Sequence, residues 1–282
     1  MTVEAERPVY LLLGNVTTDL TPDGSTFGGT AYYSGRAAAA LGYRVVVATR
    51  LPRGDAWRLA AAAPEIEWRA GAADASATFS NIYLPEGRTQ LVHARAPRLG
   101  VAEVEGLAPE AEIVHLGPIL RETGPAVVKA VAGRDFVALT GQGLLRRVDK
   151  RGHVRVDLPR SATQAFGAAD VSVLSTEDLA GDVETAKTLL ARSRVGVLTD
   201  GAGSIEAHEG GRWLRFPVVE RPMRNPTGTG DVFAAVLFSA YRATGDLRES
   251  LRVSVEAAAR WISEPMPEPF HVLPEPGAAV EF

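Results

Sequence analysis

The chain has 282 residues, 46% of them hydrophobic and 23% charged, and carries a formal net charge of −4. That length supports a large buried core, and the composition excludes disordered and fibrous classes. The weakly acidic balance, with basic residues scattered among acids, argues against nucleic-acid binding, and the absence of cysteine excludes disulfides, thiolate nucleophiles and cysteine-based zinc sites.

No apolar run approaches the roughly 18 residues of a membrane span, and the polar, acidic stretch Met1 to Pro8 does not resemble a signal peptide; the reading is cytoplasmic, with no membrane partner. Along the chain, short β-branched runs predict strands at Val9 to Leu13, Val45 to Ala48, Ile113 to Leu116, Phe136 to Leu139, Val171 to Leu174 and Val195 to Leu198. They lack strict alternation, which implies burial on both faces. Helices are expected between them at about Thr30 to Leu41, Asp55 to Ala63, Thr123 to Ala132 and Val183 to Ala191, followed by a pair at Asp231 to Thr244 and Leu247 to Ser263. This alternation predicts an α/β fold, a three-layer α/β/α sandwich around a mostly parallel sheet.

Two stretches break the rhythm. Thr78 to Tyr83 and Gln90 to Ala94, joined at Pro85-Glu86-Gly87, read as a hairpin forming a β-flap, and Ser204 to Phe216 reads as a second hairpin turning at Glu209-Gly210-Gly211. Nothing marks a domain boundary, so residues 1–282 are expected to form one domain, with lid elements at about 15–27 and 77–97.

The segment richest in chemistry is Asn225-Pro226-Thr227-Gly228-Thr229-Gly230-Asp231-Val232-Phe233, a glycine turn feeding a helix with apolar residues at Val232, Phe233, Val236, Leu237 and Ala240. Its glycines permit unusual backbone angles, and the N–H groups of a first helical turn form a ready anion site. On this segment alone two readings stand. Asp231 complements the helix dipole, worth roughly 0.3–1 kcal/mol, or it takes the proton of an alcohol attacking a phosphoryl group.

Gly228-Thr229-Gly230-Asp231 resembles the second signature of the ribokinase-like (PfkB) carbohydrate kinases. Gly14-Asn15-Val16-Thr17-Thr18-Asp19 with Gly28-Gly29 resembles their first, about 200 residues earlier. The resemblance implies an ATP-dependent kinase acting on a hydroxyl of a sugar or cyclitol, with Asp231 as base and Gly228, Thr229 and Gly230 supplying amides. It further implies substrate contacts from Asn15, Asp19, Gly28, Gly29 and Tyr33, nucleotide contacts from Thr199, Gly201, Thr227, Gly228 and Gly230, and Mg2+ held partly by Asp178. The flaps of such proteins often pair between subunits, which admits a homodimer through the lid.

Several positions depart from the family pattern. Tyr33 stands where an asparagine is usual, as in inositol-kinase-like members, whose Gln-, Leu- and Arg-rich segment Leu139 to Arg146 also resembles; the alternative is that Tyr32 and Tyr33 are core residues of the first helix. Asp178, in Ser175-Thr176-Glu177-Asp178, stands for a glutamate, and the alternative there is a helix cap. In Thr199-Asp200-Gly201-Ala202-Gly203 the last glycine comes one residue early, and Asn225 is nearest to a usual aspartate. A catalytically silent binding protein and a nucleoside kinase are the alternatives. No dinucleotide fingerprint, Walker lysine motif or G-x-S-x-G elbow occurs, and His93, His115, His153, His208 and His271 are too dispersed for a local metal motif. Arg88, Arg95 and Arg98 near the flap could reach phosphate or be solvated edge residues.

Overall fold

The computed structural model describes residues 7–84, 87–201, 203–218 and 227–263. The Pro85-Glu86 turn, the Arg88 side chain, Ala202, Asn225, Pro226 and His271 lie outside the described residues. The strands are β1 (Val9–Leu13), β2 (Thr17–Thr21), β3 (Gly24–Gly28), β4 (Arg44–Leu51), β5 (Ile66–Ala72), β6 (Ala77–Leu84), β7 (Gly87–Ala94) and β8 (Ala111–Leu116). They continue as β9 (Val137–Thr140), β10 (Arg146–Val148), β11 (Val154–Val156), β12 (Val171–Ser175), β13 (Val195–Thr199), β14 (Ser204–Glu209) and β15 (Arg212–Pro217). The helices are α1 (Thr30–Ala40), α2 (Arg53–Ala62), α3 (Val101–Glu105), α4 (Pro125–Val131), α5 (Arg160–Ala168), α6 (Val183–Leu190), α7 (Thr229–Thr244) and α8 (Leu247–Ser263).

A nine-stranded sheet runs β15-β14-β13-β12-β9-β8-β1-β4-β5, parallel from β13 to β5 and closed at the other edge by the antiparallel β14–β15 hairpin. Its turn uses Gly210 and Gly211, both at positive φ, the geometry that joins right-twisted strands tightly. The two faces are separate hydrophobic cores. Tyr10, Leu12, Val45 and Val47 face α1, α2, α7 and α8, whereas Leu11, Leu13, Val46 and Ala48 face α3 to α6. Burial on both sides explains why the central strands read as continuous apolar runs.

Four further strands, ordered β3-β2-β6-β7, form the lid sheet. It rises where the central strand order reverses: β1 leads through α1 to β4 on one side, and the chain later returns to β8 on the other. Gly14 and Gly117 close this junction so tightly that a Cβ on Gly14 would lie 2.2 Å from the Gly117 carbonyl oxygen. In open parallel sheets such a reversal leaves a crevice beyond the strand C-termini. Among the described residues, no helix is long and apolar enough to cross a membrane.

The base of the lid is fixed by one buried carboxylate. Glu122, 3% exposed, accepts hydrogen bonds from the backbone N–H groups of Asn15 (2.8 Å), Ile119 (2.8 Å) and Leu120 (2.7 Å). An unsatisfied buried donor costs about 1–3 kcal/mol. Glu122→Leu is therefore expected to lower unfolding stability by ~3 kcal/mol or more in urea titrations, and Glu122→Gln, which keeps one acceptor oxygen, by less. Equal loss in the two variants would show that the carboxylate does not hold this loop.

Candidate active site

A cleft of about 710 Å³ opens at the C-terminal ends of β9, β12 and β13, beneath the lid. One wall carries Thr17, Asp19 and Gly29; the facing wall carries Thr227, Gly228, Thr229, Gly230 and Asp231. Two segments about 200 residues apart in sequence thus share one cavity. What brings them together is the packing of α1 beside α7.

Both helices begin at glycines with positive φ: Gly29 at 83° caps α1 and Gly228 at 79° caps α7. Neither glycine has a side chain to cap its helix, and Gly29 and Gly228 both line the cleft. Close contact is secured by small residues. Ala37 of α1 packs on Val232, Ala235 and Val236 of α7, and the Ser34 hydroxyl donates to the Asp231 carbonyl oxygen at 2.8 Å. The Tyr33 ring lies directly against Gly228, where a Cβ would fall 2.4 Å from its Cγ. Trp261 of α8 completes the corner, meeting Tyr33 edge-on at 5.9 Å and donating from Nε1 to the Thr227 carbonyl oxygen at 2.9 Å.

Burial pushes the Tyr33 phenol well above its ordinary pKa, and the nearby carboxylates of Asp19 and Asp231 push it further. The phenol therefore keeps its proton between two acids. Asp231 is half-buried, on the first turn of α7. Gly28 does not line the cleft. It makes room for Asp19, since a Cβ there would lie 2.5 Å from Asp19 Oδ2.

Asn15 does not line the cleft either. It is 2% exposed; its Nδ2 donates to the Pro97 carbonyl oxygen at 3.0 Å and its Oδ1 accepts from the Arg50 N–H at 2.9 Å, so the side chain joins loops. Asp178 does face the cleft, but its Oδ2 accepts from the Ser175 N–H at 2.8 Å, capping the turn at Thr176–Leu179. Its other oxygen and neighbouring Glu177 are the acids on that wall. Among the described residues no three metal-ligating side chains come together. The set suits Mg2+ carried on phosphates and touched through water, the usual mode for that ion, and does not form a protein cage. Thr199 and Gly201 lie in the cleft, with Gly203 behind them in a turn closed by its N–H on the Asp200 carbonyl oxygen.

Other lining residues escaped sequence reasoning or were noted only as part of a segment. Asn81 and Gln90 face each other across β6 and β7, with Gln90 Nε2 donating to Asn81 Oδ1 at 2.9 Å. Their position on the Phe79 face of the flap, read by alternation, is the signal that would have found them. Arg146 donates to Gln142 Oε1 at 2.7 Å, and Gln142 donates to Thr30 Oγ1 at 3.2 Å, so the arginine of the Leu139 to Arg146 segment reaches the cleft. Arg95 and Arg98 do not; both are exposed.

No protein-family model and no curated protein matches the sequence. Solved structures do match. A pyrophosphate-dependent kinase in the ribokinase family, complexed with a pyrophosphate analogue and myo-inositol, superposes with a TM-score of 0.79 at 14% identity, over 92% of this chain and 97% of that one. An uncharacterized sugar kinase from Pyrococcus horikoshii gives 0.74 at 14% identity, over 91% and 92%. Fructokinase with bound ATP from Xylella fastidiosa gives 0.69 at 16% identity, again over 91% and 92%. With its parallel sheet, its helical layers and its lid strands matched across more than nine-tenths of the chain, this protein has the ribokinase fold.

Proposed function

We propose that the protein is a kinase that transfers the terminal phosphoryl group of a nucleoside triphosphate to a hydroxyl of a sugar or cyclitol. The observation that carries this reading is the shared cleft, in which Asp231 and the amide end of α7 face Asp19 and Gly29. Asp19 accepts hydrogen bonds from acceptor hydroxyls, and Asn81 and Gln90 add polar contacts from the lid. The attacking hydroxyl gives its proton to Asp231 as its oxygen bonds to phosphorus and the bond to the departing phosphate breaks. Backbone N–H groups of Gly228 to Asp231 face the charge that spreads over the transferred group. Glu177 and Asp178 are the residues that would hold Mg2+ through water, and that ion, when bound, neutralises phosphate charge. The lid keeps water from the reacting phosphoryl group.

The apolar part of the cleft supports a nucleotide as donor. Because α8 runs back along α7, its last turns lie beside the glycine turn, and Val255, Ala258, Ala259 and Ile262 form an apolar wall with Val218. Such a wall suits a nucleobase, and pyrophosphate has nothing to place there. A pyrophosphate donor is the second reading, favoured by the pyrophosphate-dependent kinase among the structural neighbours. With sugars, cyclitols and nucleosides as acceptors, ATP is expected to yield ADP with a sugar or cyclitol, and pyrophosphate to yield no phosphorylated product. The reverse preference would transfer the proposal to the second donor. Ligand binding without turnover on either donor would mark a silent binding protein.

Asp231→Asn preserves shape and removes the base. Turnover is expected to fall by about 10²–10⁴, the usual contribution of a positioned general base, while the KM for ATP changes less than about threefold, since the amides remain. Steady-state kinetics on the purified variant decides this, and near-normal turnover would refute the assigned role.

A further inference from the structure

Beneath α7, three polar side chains form a chain that ends at the cleft. The Tyr10 hydroxyl on β1 lies 3.0 Å from His115 Nδ1 on β8, and His115 Nε2 lies 2.7 Å from Thr140 Oγ1 at the end of β9. Tyr10 and His115 are completely buried, with Phe238 of α7 edge-on to the imidazole at 4.9 Å. Thr140 is 7% exposed and lines the cleft. Gln142, two residues further on, donates to Thr30 beside Gly29, which places Thr140 toward the Asp19 wall.

The protons in this chain can be placed by elimination. Burial lowers the His115 pKa to about 3, so the imidazole is neutral and carries one proton. If that proton sat on Nδ1, it would point at the Tyr10 oxygen. The phenolic proton would then have no acceptor among the described residues, although Tyr10 is completely buried. A buried donor left unmade is the costly outcome. In the other tautomer Tyr10 donates to Nδ1, Nε2–H donates to Thr140 Oγ1, and each inner proton has an acceptor. Only the Thr140 hydroxyl proton remains, and the space left to it is the cleft.

We infer that Tyr10 and His115 are positioning residues that fix the Thr140 hydroxyl as a hydrogen-bond donor into the cleft, where it recognises an oxygen of the acceptor substrate. The substrate half of this statement rests on the kinase reading; the tautomer half does not. A lone hydroxyl rotates to donate or accept as its partner requires, whereas one that already accepts from a buried imidazole is biased to donate. That bias gives the position a preference among otherwise similar polyols.

Two measurements test it. In a long-range ¹H–¹⁵N spectrum of the free protein, with His115 assigned through its backbone, Nε2 is expected to be protonated and Nδ1 bare. An Nδ1–H tautomer would overturn the inference whether or not the protein is a kinase. In kinetics with the best acceptor of the panel, Thr140→Val is expected to raise the acceptor KM roughly three- to tenfold, the effect of losing one neutral hydrogen bond. Turnover at saturation should stay within about twofold, and Thr140→Ser should restore the KM. An unchanged KM in a folded Thr140→Val enzyme would overturn the substrate half. The spectrum needs no turnover, so failure of the relay and failure of the kinase reading give different results.

Discussion

Two helices that start far apart in sequence must end their amide rows at the same cavity, and the rest of the site depends on how closely α1 and α7 approach. The contact is made where side chains are smallest. Gly228 has no Cβ, and the ring of Tyr33 occupies that space; Ser34 reaches the Asp231 carbonyl; Ala37 meets a short apolar row on α7. A larger residue at 228 would move the Tyr33 ring, and with it the wall that faces Asp19. The orientation of Asp231 is therefore set as much by α1 as by its own helix. Dense packing makes this rigid, because displaced side chains have no void to enter.

The same contact arranges the charge. Asp19 and Asp231 both act on Tyr33, which burial keeps protonated, so a neutral phenol lies close to two of the acids that line the cleft. Acids beside a phosphate site carry an electrostatic cost. On the kinase reading that cost is offset by the N-terminus of α7 and by Arg146, which reaches the cleft from β10. A carboxylate can then serve as a proton acceptor close to an anion without excluding it.

Local features of this fold were legible in the sequence, and features made by distant pairing were not. The β-branched runs at Val9, Val45, Ile113, Val171 and Val195 form strands because burial on both faces favours such residues, and Gly228 announces a helix start because its left-handed backbone angle and the Tyr33 ring against it both favour glycine. Strand β5 gave a weaker signal, since this edge strand mixes Glu67, Trp68 and Arg69. Helix α5 was missed because its apolar stripe is only Ala162, Ala165 and Phe166 amid polar residues and Gly167. Thr140, Asn81 and Gln90 became site residues only once strand order and lid pairing were known. Asn15 shows the converse. A polar side chain near a glycine turn looks available until the backbone groups that engage it are seen, and those belong to Arg50 and Pro97.

Chemistry and specificity are carried by different parts of the cleft. Donors with different tails share a terminal phosphoryl group, and main-chain amides at a helix start recognise that group without reading what is attached to it. On the kinase reading the glycine turn is therefore indifferent to the donor, and selection would fall to the last turns of α8 and Val218, whose apolar side chains line the same cleft. On the same reading, acceptor choice would belong to Asp19, the Asn81–Gln90 pair on the lid and the hydroxyl of Thr140, all of which line the cleft. Because α8 meets the glycine turn through Trp261 whereas the lid residues belong to a separate sheet, substitutions in one would alter donor or acceptor preference without displacing Asp231. A scaffold with that separation can keep one phosphoryl-transfer geometry while its two substrates change.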